Sequence, residues 1–357
     1  MKVILISTAV MPLPPFSYAG LERLVYQLAD GLAKRGIETY LVAPTGTTPP
    51  NNVKFIDMGV SGWNNNEEQA FINYRSALER IIDKETVISD HSWQGYPYLL
   101  RIENPEIKIT HTFHALQPWR QPKQKDIKED FESGGWHFIG ISKAQANKLS
   151  KLMNAPVTTI YNGVDDKEFK FYDGDRDDYL LFFGLINREK GVDNFIDIIG
   201  DKYKAKIAGE DSFITDINFV RTIMDYINRE RPNIEYYGSV LHQEKILLMK
   251  RAFMMIYPFN PAWFEGFNLS IIEASMLGTP VLASENGATL ELTEGLPDIF
   301  KAKPNNRILE MDLPTIIEEL KSNYMYYSRK FRENAMRFTL DKMVENYIKY
   351  FEKVISE

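Results

Sequence analysis

The 357-residue sequence contains no cysteine. That absence excludes disulfides, thiolate nucleophiles and cysteine-ligated zinc together. Histidine is scarce too: His91, His111, His114, His137 and His242 are the five, and no two have helical HxxxH spacing, so no metal site is expected. No run of eighteen apolar residues occurs, and with it goes the expectation of a membrane-spanning helix. Positive charge is not in excess. The 42 lysines and arginines are outnumbered by 49 aspartates and glutamates, leaving a formal charge of −7. A nucleic-acid binder would usually be basic, and an anionic ligand here must be met by a local cluster rather than by the overall field. There is no G-x-G-x-x-G stretch, which argues against a nicotinamide enzyme, and no short internal repeat.

What the sequence does contain is a soluble, globular composition, 44% hydrophobic and 25% charged, in a chain long enough for two domains. The opening "MKVILISTAVMPLPP" imitates a secretion signal but lacks a small-residue cleavage site, and it reads better as a buried first strand. Strand-like runs then alternate with helical patterns: "KVILIS", "ETYLVAP", "ETVIS", "IKITHTF", "HFIGIS" and "VTTIYNG", then, after the acidic "FYDGDRDD", "YLLFFG", "AKIAG", "NIEYYG", "MMIYPF" and "PVLAS". In "GLERLVYQLADGLAKRG", Leu21, Leu24, Val25, Leu28 and Leu32 keep helical spacing and Gly36 ends the helix. Strands separated by helices imply parallel sheets, and the restart near residue 170 implies two of them, an α/β architecture. Residues 165–178 read as a short charged hinge, and the segment from about Leu313 to Glu357 as helices only. Ligands in such open sheets sit at the carboxyl ends of the strands.

One stretch carries most of the chemistry: "EGFNLSIIE", Glu265–Glu273, followed by "ASMLGTPVLAS". Asn268 can cap a helix beginning near Leu269, and Gly278 can stop it. Eight positions span on the order of 12 Å along a helix, about the reach from a sugar across a pyrophosphate to a ribose. The free amides at a helix start attract anions, and two carboxylates can accept hydrogen bonds from sugar hydroxyls. The pattern suits a nucleotide sugar.

The chain resembles the retaining glycosyltransferases of family 4, whose architecture, called GT-B, has two Rossmann-like domains facing across a cleft. The likeness rests on "EGFNLSIIEASMLGTPVLASENGATLE", on "NGVDDKEF" (Asn162–Phe169), on "FFGLINREKGVDNFI" and on "YAGLERLVYQLADGLAKRG", in that family's order and covering nearly the whole chain. It implies a first domain of residues 1–165 joined by a returning helix at about 340–357, and a nucleotide-sugar-binding domain of residues 166–339. It implies that Glu265 holds the donor sugar and Glu273 the ribose, and that Gly266 and the amides of Phe267, Asn268 and Leu269 face the sugar and pyrophosphate. Asn268 stands where the family usually has Gly, and Leu185 where it usually has Arg. Lys190, and Arg188 by reaching round, would neutralise the departing diphosphate. Gly20 would let a phosphate approach its backbone, or serves only as a helix-start glycine. Glu210 and the backbone of Gly238–Leu241, with Val240 and Leu241, would meet the base. His114 would reach a sugar hydroxyl or the reacting oxygens; His111 reads as structural.

The acceptor side is thinner. Asp90 and His91 are candidates at a strand end. "HALQPWRQPKQKDIK" (114–128) sets Trp119 among basic residues and reads either as a solvated loop or as an acceptor or membrane-surface loop. Trp63, Trp93 and Trp136 read as core or rim. The resemblance implies a metal-independent transfer from a nucleoside-diphosphate sugar to a hydroxyl acceptor (glycan, lipid or small molecule) with retention of configuration. No cofactor is implied, and the expected setting is the cytoplasm, with peripheral membrane contact open. The competing readings are an epimerase of the same architecture and a nucleotide-sugar-binding protein without turnover.

Overall fold

The computed structural model describes residues 1–15, 19–62, 66–116, 137–211 and 215–357. These fall into two compact units. Met1–Pro15, Ala19–Gly163 and Leu340–Glu357 form the first, and Val164–Thr339 the second.

In the first unit the order is β1 (Lys2–Ile6), α1 (Gly20–Lys34), β2 (Glu38–Ala43), β3 (Val53–Asp57), α2 (Glu67–Glu79), β4 (Thr86–Asp90), α3 (Leu99–Glu103), β5 (Lys108–Phe113), β6 (His137–Gly140), α4 (Lys143–Met153) and β7 (Val157–Thr159). The strands form one parallel sheet, ordered β3-β2-β1-β4-β5-β6-β7. Central strands of a parallel sheet are covered on both faces, which is why "VILI" and "TVISD" are buried throughout. Helix α1 buries Leu24, Val25, Leu28 and Leu32, each contributing about 1.5–3 kcal/mol.

The second unit runs β8 (Leu180–Phe183), α5 (Val192–Ile199), β9 (Ala205–Ala208), α6 (Ile217–Glu230), β10 (Ile234–Gly238), α7 (His242–Arg251), β11 (Met254–Tyr257), α8 (Leu269–Met276), β12 (Val281–Ala283), α9 (Thr289–Thr293) and α10 (Asn306–Ala335). Its five strands are parallel, ordered β10-β9-β8-β11-β12. The last helix, α11 (Leu340–Ser356), belongs to the first unit, where the Tyr347 hydroxyl lies 3.0 Å from Thr112 Oγ1 on β5. None of the described helices is long and apolar enough to cross a membrane.

The structure departs from the sequence reading in three places. Strand β3, "VKFID", adds to the runs read from the sequence: it is a short, half-exposed edge strand whose apolar Val53, Phe55 and Ile56 are interrupted by Lys54 and closed by Asp57. Helix α10 starts at Asn306, ahead of Leu313, because the Asn305 side chain accepts the Ile308 amide at 3.0 Å and caps it there.

Third, residues 165–178 are not a free connection. The Arg176 guanidinium donates to the carbonyls of Lys250 (2.6 Å), Leu277 (2.8 Å) and Tyr172 (3.0 Å) and to the Thr279 hydroxyl. Asp177 pairs with Arg251, and the Tyr172 amide donates to Leu277. This segment is laced to the second unit. Arg176→Ala would take this donor from the Lys250 and Tyr172 carbonyls and leave Leu277 with the Tyr172 amide alone, and a loss of about 2–3 kcal/mol is expected, read as a lower urea midpoint at unchanged slope. A change below about 0.5 kcal/mol would mean these bonds carry no net stability.

The candidate donor-binding site

Two of the buried acidic side chains of the second unit, Glu265 and Glu273, are each held by a lysine. After β8 the chain turns through Asn187, whose side-chain oxygen accepts the Lys190 amide at 3.0 Å. Gly191 follows with φ +79°, and a Cβ there would come within 1.9 Å of the Pro258 carbonyl oxygen. This close approach sets Lys190 against the loop after β11, where its ammonium donates to the Glu265 carboxylate. The Lys190 ammonium also lies 6.0 Å from the Phe259 ring centre and 5.8 Å from that of Trp263.

Glu265 is 5% exposed and fixed through its backbone. Its amide donates to Asn286 Oδ1 at 2.7 Å, and its carbonyl accepts the Ala288 amide at 2.9 Å. The Asn286 side-chain amide donates in turn to the carbonyls of Asn260 (3.1 Å) and Trp263 (3.0 Å). "ENG" after β12 is therefore a staple that shapes the Glu265 loop. Gly287, at φ +52°, is the point of closest contact: a Cβ on it would sit 2.0 Å from the Glu265 carbonyl oxygen.

Helix α8 begins one residue after Asn268, whose side chain caps it by accepting the Ile271 amide at 3.1 Å. Asn268 adopts φ −93°, ψ 102°, an extended conformation open to any residue, so the asparagine at a usual glycine position is accommodated without strain. Only the segment from Leu269 onward is helical, so the separation of Glu265 and Glu273 is not the continuous helical rise that the sequence suggested. Gly266 lies in the loop, and Phe267 is buried with its ring 5.7 Å from Phe338.

Glu273 is 6% exposed. It accepts from Lys245 of α7 at 2.6 Å, while its Oε2 atom is buried and has no partner among the described residues. A buried carboxylate oxygen left open in this way can accept from a ligand hydroxyl.

The remaining donor-side candidates lie at the ends of β9 and β10. Glu210 is 1% exposed and receives the Ser239 hydroxyl at 3.4 Å, and its carbonyl accepts the Ile186 amide at 2.9 Å. Leu241 is exposed, with Val240 partly so, and the Leu241 amide donates to Glu244 at the start of α7. Glu265, Lys190, Gly266–Leu269, Glu210, Val240 and Leu241 thus follow the carboxyl ends of strands or open the next helix, and Glu273 lies one turn inside α8.

Arg188 does not join them. Its side chain is largely exposed, pairs with Asp193 at 3.3 Å and lies 4.6 Å over the Phe219 ring. An exposed arginine three residues beyond Leu185 is better satisfied by that near carboxylate and ring than by the buried pair.

On the first unit, Gly20 opens α1, while Asp90, His91 and His114 end or follow β4 and β5. Asp90 is spent internally: it lies 2.7 Å from His111 Nδ1 and accepts the Ser92 amide at 3.0 Å. His91 and His114 touch, Nδ1 to Nε2, at 3.0 Å. Burial and the neighbouring His111 hold the His114 imidazole down to about 3, so it is neutral near pH 7. Trp119, Trp63 and Trp136 lie outside the described residues; Trp93 is exposed.

Lys245, Asn286 and Trp263 escaped the sequence reading. Lys245 lies in "HQEKILLMKR", which looks like an ordinary solvated helix, and its partner is 28 residues away. Asn286 precedes a glycine, a turn signal that gives no hint of a staple.

Residues 18–168 match the family described as Glycosyltransferase Family 4, and residues 177–309 the one described as Glycosyl transferases group 1. The O-antigen biosynthesis glycosyltransferase WclY of Escherichia coli is 25% identical over 235 residues; the match covers 62% of this chain and 62% of that relative's own length. The O-antigen chain mannosyltransferase C of Escherichia coli is 21% identical over 96% of both chains. Among solved structures, the sucrose-phosphate synthase of Thermosynechococcus elongatus superposes with a TM-score of 0.80 at 16% identity, over 100% of this chain and 99% of that one. Anabaena HepE in complex with UDP-glucose gives 0.72 at 15%, over 99% and 100%. Two parallel sheets of seven and five strands, two family matches in succession and these relatives lead to one conclusion: the chain belongs to glycosyltransferase family 4 and has the GT-B fold.

Proposed function

We propose that the protein transfers a sugar from a nucleoside-diphosphate sugar to a hydroxyl acceptor, with retention of anomeric configuration. The observation that carries this reading is the pair of buried, lysine-held carboxylates, Glu265 and Glu273, placed before and within α8, with one Glu273 oxygen still open. Glu273 accepts from the ribose and Glu265 from the transferred sugar, as charge-assisted hydrogen bonds. The amides of Phe267, Asn268 and Leu269 face the pyrophosphate with the positive end of the helix behind them. Gly20, on the first unit, allows a phosphate to approach its backbone. Glu210 and the backbone of Gly238–Leu241 receive the base.

Lys190 stabilises the leaving diphosphate. Its ammonium is shared with Glu265 in the free protein, and an incoming dianion draws it away, so the cation is already positioned where charge develops. The glycosyl–oxygen bond to the diphosphate breaks as the acceptor oxygen bonds to the same face of the sugar, and the departing diphosphate oxygen takes the acceptor proton. Lys190 and the helix amides supply the positive charge for this step. His114 reaches a hydroxyl of the sugar or acceptor. The names of the relatives, an O-antigen glycosyltransferase and a mannosyltransferase, favour a glycan acceptor, and a neighbour bound to UDP-glucose favours a sugar nucleotide.

A thermal-shift panel of uridine, guanosine and adenosine diphosphates tests the donor class. One of them at about 100 times its Kd is expected to add about 2.7 kcal/mol of stability, and no response to any would remove the reading. The anomeric configuration of the product, read by proton NMR, tests retention: an inverted linkage overturns it.

A further inference from the structure

In the first unit, at the carboxyl ends of β4 and β5, three polar side chains form an unbroken line. Ser89 Oγ lies 3.1 Å from His91 Nε2, and His91 Nδ1 lies 3.0 Å from His114 Nε2. Ser89 is fully buried and His91 is 2% exposed. Among the described residues Ser89 Oγ has no other partner, and His114 Nδ1 has none at all. Around the line stand Asp90 on β4, bonded to His111 on β5, and Tyr347 on α11, its ring 5.9 Å from that of His91.

The direction of the line follows from satisfying every buried proton. A serine hydroxyl has one proton to place. If Ser89 accepted from His91, its own proton would be stranded in the interior, at a cost of about 1–3 kcal/mol. Ser89 therefore donates to His91 Nε2. A neutral His91 then carries its proton on Nδ1 and donates it to His114 Nε2. A neutral His114 must in turn carry its proton on Nδ1, the nitrogen left open.

We propose that Ser89 and His91 are positioning residues that lock His114 as the Nδ1–H tautomer, so that His114 meets its ligand as a hydrogen-bond donor and not as a base. Desolvation and the mutual proximity of His91, His114 and His111 keep both members of the line uncharged near neutrality. A donor of this kind can hold a sugar or acceptor oxygen but cannot remove a proton from it, which agrees with passing the acceptor proton to the diphosphate. The functional half rests on the proposed contact between His114 and the ligand; the tautomer itself does not.

The test is a nitrogen-15 multiple-bond correlation spectrum of the full chain labelled at histidine, where five imidazoles keep the spectrum sparse and His114→Asn assigns the signal. The expected result between about pH 6 and 8 is a neutral His114 protonated at Nδ1. In Ser89→Ala the line loses its first donor, so His114 is expected to populate the Nε2–H form, with kcat falling roughly 3- to 30-fold and the donor KM within about twofold, because one misdirected donor is lost from the transition state. His91→Phe removes the link altogether and is expected to produce the same two signs. A wild-type His114 protonated at Nε2, or a spectrum unmoved by Ser89→Ala, overturns the proposal. A shifted tautomer with unchanged kcat overturns its functional half. If the spectra behave as expected but His114→Asn remains fully active, the tautomer lock stands and the assigned contact of His114 with the ligand fails.

Discussion

Glu265→Gln is expected to lower kcat/KM by about 10²- to 10³-fold while the protein stays folded, the scale seen when one preorganised polar group is removed from a transition state. Glutamine fills the same space and can still accept from Lys190, so the loop is not emptied. What it cannot do is bind sugar hydroxyls as an anion, at about 1.5–3 kcal/mol for each charged hydrogen bond. The complication is Lys190, whose side chain is only 12% exposed and would lose its counter-charge; breaking such a pair costs about 3–5 kcal/mol in fully buried cases. Adding Lys190→Met separates the effects. If the carboxylate matters only as a partner for the lysine, the double variant recovers both stability and turnover. If Glu265 holds the sugar and Lys190 the diphosphate, the double variant recovers stability and stays inactive. Near-normal turnover in Glu265→Gln alone removes Glu265 from the reaction.

Gly287→Ala is expected to be the more damaging change, though it touches no proposed ligand. Two penalties add. At φ +52° any side chain costs about 1–2 kcal/mol, and the new methyl would meet the Glu265 carbonyl oxygen at 2.0 Å and its amide nitrogen at 2.9 Å. Those are backbone atoms held by Asn286 and Ala288, and they cannot turn aside as a flexible side chain would. A total above about 3 kcal/mol follows, lowering the melting temperature by on the order of 6–12 °C, together with loss of donor binding even where the protein is still folded. Gly36→Ala is the control: its φ is +77°, yet nothing lies within 4 Å of the added methyl, so it carries the conformational penalty alone. Equal effects of the two substitutions would show that the packing of the "ENG" turn on Glu265 does not set the site.

How much of this was legible beforehand differs between the two kinds of feature. Glu265, Asn268, Glu273 and Gly278 lie within fourteen residues, so local rules of capping and helix termination place them correctly. The parallel sheets were legible for the same reason, since each strand is a short apolar run between turn residues. Strand β3 was not, because an edge strand needs no continuous apolar run. Lys245 and Asn286 were invisible because their roles arise from contacts of 28 and 21 residues' separation, which appear only once helices and strands are packed. Arg188 shows the converse. Proximity in sequence to Lys190 suggested a shared task, but a nearby carboxylate and ring give the exposed guanidinium a better home.

The chain leaves the first unit after Gly163 and re-enters it at Leu340. At that crossing the Val164 amide donates to the Phe338 carbonyl at 3.0 Å, and Val164 bridges Thr339. Departure and return are thus one stitched seam, and everything between them is a cassette inserted into its host at a single place. A lineage could exchange that cassette for a relative's by two neighbouring cuts, replacing the proposed donor contacts from Lys190 to Glu273 while leaving the host sheet and its closing helix in their original reading order.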